Sequence, residues 1–152
     1  MENVLRVAKV FYDYFFEENG YNVDELKMHK LMYLAQRESL IEYDEPLFFA
    51  HFYGWKFGPV LKEIREEYRT GNLFKDISLP TEPKTLELVR SVLKRYGDMS
   101  SWDLSNLSHQ ELSWKMARKG LEPGDNGNKE LSIDMIKVDA IREKLTREHY
   151  GL

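Results

Sequence analysis

Arg6, Lys9, Asp13 and Glu17 recur every three or four positions through the first stretch of the chain, and nearly every position between them is Val, Leu, Ala, Phe or Tyr. That spacing predicts a helix over residues 2–18 with one narrow wet stripe and with Phe11, Phe15 and Phe16 packed inward. Gly20 is placed to end it. Asn22 and Glu25 stand three apart as in a capping box, and the helix they open has an apolar stripe of Met28, Leu31, Met32 and Ala35. Lys27, Lys30 and Arg37 fall on another side and are expected to face solvent. Asp44 to Pro46 reads as a turn, since proline fixes its own φ and disfavours helix at the residue before it.

The segment LFFAHFYGWKF, residues 47–57, is rich in aromatics and poor in helix formers, which predicts a short extended or hairpin segment. Gly58 and Pro59 are expected to form the junction into a helix, with Leu61, Ile64 and Tyr68 inward and Lys62 paired with Glu66 outside. Beyond a connection containing Pro80 and Pro83, Leu86, Val89, Leu93 and Tyr96 repeat at helical spacing up to Gly97. Two serine caps follow, Ser100 with Asp103 and Ser108 with Glu111. LEPGDNGNKE, residues 121–130, is a loop, and a terminal helix from about Ser132 is expected to use Ile136, Val138, Ile141 and Leu145. Together these elements predict a mainly α fold, a single compact domain over 1–152 with six to seven helices.

Composition narrows the functional classes. At 152 residues the chain suits one core. Its 26 acidic against 22 basic residues give a formal charge of −4, so the overall field opposes a polyanion and a nucleic-acid partner is not expected. The absence of cysteine excludes disulfides, thiolate metal sites and a cysteine nucleophile, and fits a cytoplasmic protein. No apolar run approaches the ~20 residues of a membrane span, so no membrane partner is expected.

The four histidines include no pair at i,i+4, and GDNGN lacks the Lys-Ser/Thr ending of a phosphate loop, so neither a metal nor a cofactor is expected. Ser108, His109 and Glu111 come nearest to catalytic chemistry. Capping accounts for Ser108 and Glu111, and a small hydrolase or transferase using His109 and Glu111 as acid and base is the competing reading. Lys115, Arg118 and Lys119 suit a helix C-terminus and also an anion. Tyr53, Trp55 and Phe57 alternate, which on an extended segment puts three rings on one face: interface anchors if exposed, core if buried.

Three separated blocks, KLMYLAQ at 30–36, YGWKFGPVLKEI at 53–64 and LSHQELSWKMAR at 107–118, resemble in identity and order the SocA-like antitoxin family, also called the Panacea domain, whose members are often phage-associated or genetic-element proteins. The matching positions are Lys30, Tyr33 and Gln36, then Trp55, Lys56, Gly58 and Pro59, then His109, Glu111, Trp114 and Lys115. The chain departs from the family's pattern at Phe57, where Tyr is frequent, and at Ser113, which lacks the frequent Pro before Trp114. The resemblance implies a compact helical module that neutralises a cognate toxin by direct contact, or, as the alternative, an adaptor that delivers a bound client to a Clp-type protease. It implies no catalytic residues. The partner-binding candidates are therefore Tyr53, Trp55, Lys56, Phe57, His109, Glu111, Trp114 and Lys115, with Lys30, Tyr33, Gln36, Gly58, Pro59 and Ser108 as structural motif.

Overall fold

The second helix is the axis of the molecule. In the computed structural model, which describes residues 1–80 and 82–152, α2 (Glu25–Tyr43) lies against α1 (Val4–Asn19), α3 (Lys62–Thr70), α4 (Pro83–Tyr96), α5 (Ser101–Ser108), α7 (Ile133–Tyr150) and strand β2 (Gly58–Leu61). Strand β1 (Phe52–Trp55) and the short α6 (Leu112–Ala117) complete the order, with α6 seated on β1 and α7. Among the described residues, seven helices and a two-stranded antiparallel sheet make a mainly α fold, as the hydrophobic pattern predicts.

Enclosure of α2 overturns the expectation for its cations. Every residue from Lys27 to Leu40 is buried, Lys27, Lys30 and Arg37 included. A helix walled on all sides has no solvent face, so each polar head must reach a protein partner. Lys27 Nζ donates to the carbonyls of Gly97 and Met99 at 2.6 and 2.8 Å. Gln36 donates to Phe48 O at 3.0 Å and accepts from Leu47 N at 2.8 Å, acting as a short substitute strand for the chain at 47–48.

The N-cap of α2 is Asp24, whose carboxylate accepts from Lys27 N at 2.8 Å, and not Asn22. Glu25 is drawn away to His29, 2.9 Å away, so the expected capping box does not form. In α1 the inward set is Val7, Ala8, Val10, Phe11 and Phe15, and Phe16 is exposed. Gly20 ends that helix at φ +76°, the left-handed conformation its missing Cβ permits.

The aromatic segment folds as a hairpin. β1 and β2 pair from Phe52↔Leu61 to Trp55↔Gly58, joined by the two-residue turn Lys56–Phe57. Gly58–Pro59 is thus the return strand and not the helix junction, with α3 starting at Lys62. Pro59, opposite Gly54, is tolerated because a two-stranded ribbon leaves one edge without a ladder partner. Gly58 is required: its φ is +127°, and a Cβ there would lie 2.9 Å from Ser108 Oγ. Lys62 caps the Tyr53 ring at 4.0 Å, and Glu66 pairs with Arg69 at 2.6 Å, so the expected Lys62–Glu66 pair is replaced. Residues 129–131 flank the other edge of β1, with Gly54 N donating to Lys129 O at 2.9 Å and Leu131 N to Phe52 O at 2.8 Å.

Ser100 caps α5 by accepting from Asp103 N at 3.0 Å, as expected. Ser108 does not cap α6. It is the buried last residue of α5 and donates to Ser105 O at 2.9 Å. The α6 amides of Leu112 and Ser113 are taken instead by the Asp139 carboxylate, reaching from α7 at 2.7 and 3.0 Å. α7 is likewise turned relative to its expected packing. Ile136 and Ala140 enter the core, Asp139 and Arg147 are buried for their polar contacts, and Val138, Ile141 and Leu145 point outward.

Candidate functional site

The turn Lys56–Phe57 stands between two open clefts of about 620 and 670 Å³. Lys56, Phe57 and Leu26 line both. The first is walled by α5 and α6, through Trp102, His109, Trp114 and Lys115, with Leu121 and Pro123 from the following loop. The second is walled by His29, Trp55, Val60 and Arg65, with Asn126 to Asn128 across from them. Phe57 is 57% and Trp102 74% exposed, large apolar surfaces for side chains at the mouth of a concavity.

Side chains bonded to main-chain carbonyls hold this arrangement in place. Lys30 Nζ donates to Phe57 O at 2.8 Å from beneath the turn. Trp114 Nε1 donates to Trp55 O at 2.8 Å, tying α6 to β1, and its ring stacks on His109 with centroids 4.2 Å apart and planes 11° from parallel. Arg118, buried, donates to Gly54 O at 3.2 Å and Glu122 O at 2.9 Å, which staples the loop to the hairpin. Gly127 closes that contact, since a Cβ there would lie 2.1 Å from Gly54 O. Burial lowers the pKa of Lys30 to about 8, and burial together with the Lys30 charge lowers that of His109. The buried nitrogens Trp55 Nε1 and His109 Nε2 have no hydrogen-bond partner among the described residues.

A protein-family model described as Antitoxin SocA-like, Panacea domain, matches residues 28–115. The chain belongs to that family. The matched segment takes in most of α2, the hairpin, α3 to α5 and the start of α6, and so supplies most of both cleft walls. No curated protein and no solved structure matches the chain.

Within this SocA-like domain the candidate residues separate into three places. Lys56, Phe57, His109, Trp114 and Lys115 meet around the first cleft, and Trp55 joins Lys56 and Phe57 around the second. Tyr53 lies outside both, half-buried under Lys62 and 3.5 Å from Glu130. The shared face expected of Tyr53, Trp55 and Phe57 is not formed, because Phe57 sits in the turn and leaves the strand alternation. Lys30, Gly58 and Ser108 underlie the turn and fix its height.

Glu111 is the third case. It faces a closed polar cluster on the inner side of α6. Arg37 donates to Glu111 Oε1 at 2.9 Å and Tyr33 Oη to Oε2 at 2.9 Å, and Tyr33 Oη also lies 2.8 Å from Asp139 Oδ2 and 3.1 Å from Ser113 Oγ. Arg37 reaches Tyr96 Oη at 2.9 Å, and Arg147 grips Glu38 through two 2.8 Å bonds. Burial and the Asp139 charge raise the pKa of Glu111 against the pull of Arg37. With both its oxygens engaged there, Glu111 is not hydrogen-bonded to His109, and the acid–base pair considered from the sequence is not assembled. Among the described residues no group of three or more His, Asp or Glu side chains is placed to hold a metal, and no helix is long and apolar enough to cross a membrane.

Trp102 and Leu26 are not among the residues expected from the sequence. The pattern does carry a signal for Trp102: it precedes Leu104 by two positions, roughly 200° around a helix, so burying Leu104 turns the indole outward. Leu26 had no comparable signal.

Proposed function

We propose that this SocA-like domain is an antitoxin that neutralises a cognate toxin by direct contact, through the surface around the Lys56–Phe57 turn. The reading rests on the family and on one observation: exposed Leu26, Phe57, Trp102 and Leu121 gather around two adjoining clefts on a frame held by side-chain bonds to main-chain carbonyls. Exposed large side chains beside a preformed concavity are the usual concentration of binding energy in a protein interface, because little order has to be created on docking. The interface needs no turnover. Neutralisation follows if the bound domain covers the toxin's working surface.

Co-expression with the toxin encoded beside this chain tests the proposal. The expected result is restored growth and a complex that co-elutes on size exclusion. Restored growth with a shortened toxin half-life and no stable complex would instead assign delivery to a Clp-type protease. Absence of both rescue and complex would reject binding to that toxin.

A further inference from the structure

The clefts have a charge opposite in sign to that of the whole chain. Acidic residues outnumber basic ones 26 to 22 overall, yet the side chains lining the clefts include Lys56, Arg65, Lys115 and Arg118 against the single carboxylate of Glu25. That carboxylate is already engaged by His29 at 2.9 Å and Arg65 at 3.1 Å. Arg118 is committed to backbone carbonyls. Lys56 and Lys115 differ: among the described residues neither forms an ion pair. Lys56 holds the most telling position because it lines both clefts, with its ammonium 5.3 Å from the exposed Phe57 ring.

Resting on the antitoxin reading, we infer that the toxin segment seated here presents a carboxylate flanked by two bulky apolar side chains. One apolar side chain enters each cleft, and the carboxylate meets Lys56 on the divide between them. Lys115 supplies a second cation on the α6 side. The walls match such a segment, since aliphatic Leu26, Val60, Leu121 and Pro123 stand among the rings. A nucleic-acid strand would call for successive exposed stacking faces and a continuous phosphate track. Here Phe57 and Trp102 are exposed, but the Trp114 ring is stacked by His109, Trp55 is overlaid by the Arg65 guanidinium 5.2 Å away, and Arg65 and Arg118 are already engaged, which leaves Lys56 and Lys115 in place of a track. An acid–amine contact ringed by apolar walls is screened less by salt than one in open water, and it disfavours partners lacking the carboxylate.

The test uses the purified pair of this chain and its toxin, with Kd measured by calorimetry across a salt series. The variant is Lys56→Glu with Lys115→Glu, and the control is Lys137→Glu with Lys144→Glu, the same charge change on the exposed face of α7. Thermal melts verify that both fold. The cleft reversal is expected to weaken binding by about a hundredfold and to flatten its salt dependence, with the control within about threefold of wild type. A complex whose Kd is unmoved by the cleft reversal would overturn the acidic-segment inference and leave neutralisation standing. No complex with the unaltered chain would remove the antitoxin reading, and this inference with it. Displacement of the toxin by a single-stranded oligouridylate 20-mer would overturn it in favour of a nucleic-acid ligand.

Discussion

α6 has two unlike sides. Inward, Glu111 and Ser113 join Tyr33, Arg37 and Asp139 in a cluster of matched polar groups, in which Arg37 Nε lacks a partner among the described residues. Outward, Trp114 and Lys115 line a cleft edged by exposed apolar side chains, where among the described residues Lys56 and Lys115 form no ion pair. The same short helix therefore anchors a closed structure on one side and an open surface on the other. Satisfied groups fix geometry; unsatisfied ones leave room for a partner. The motif residues divide along that line, Tyr33 and Glu111 to the first side and Lys56 and Trp114 to the second.

The largest effect is expected from breaking the closed side. Arg37→Met leaves the Glu111 carboxylate buried without its cation, which should lower stability by about 3–5 kcal/mol in chemical denaturation. Adding Glu111→Gln to it should recover a measurable part, because the stranded charge is then gone. Strictly additive losses would show that the two side chains are not coupled.

A smaller and more pointed contrast comes from pH. Glu111 has a raised pKa, so the folded chain keeps that proton to higher pH than the unfolded chain does. Its contribution is full below the ordinary carboxylate value of 4.5 and fades as pH rises through the raised value. His29, in the wall of the second cleft, has the opposite sign. Burial lowers its pKa against the Glu25 bond, so its contribution is full above the ordinary imidazole value of 6.5 and is lost as pH falls through the lowered value. Urea midpoints stepped from about pH 4 to 8 should therefore lose the falling limb in Glu111→Gln and the acid-side loss in His29→Gln. Identical profiles in the two variants would erase the distinction.

The smallest effect on folding belongs to the open side. Trp102→Ala and Phe57→Ala should each leave stability within about 0.5 kcal/mol of wild type, because both rings are exposed. A large drop in melting temperature would mean that these rings belong to the core and not to a docking surface.

How far the sequence revealed this molecule depended on whether one element alone decided the outcome. Phe11 and Phe15 repeat at helical spacing and are buried as that spacing predicts, and Gly20 ends its helix in the left-handed conformation. α2 departs from its pattern because periodicity does not count neighbours. Its lysines and Arg37 look like a wet face until six other elements close around it. α7 departs for a related reason: Asp139 and Arg147 are worth burying only because α6 amides and Glu38 await them. Several of the residues that line the clefts can be named from the sequence, but their grouping cannot. His109 and Glu111 are two apart in the chain, yet the partner that decides Glu111 is Arg37, 74 positions away.

The turn between the strands is gripped at the carbonyl of Phe57, by Lys30 at 2.8 Å and by Ser105 Oγ at 3.5 Å. A carbonyl is common to all twenty amino acids, so that grip is indifferent to which side chains occupy 56 and 57. The tip is built like a tool holder with a standard shank: its two heads can be exchanged while the hand that holds them stays the same.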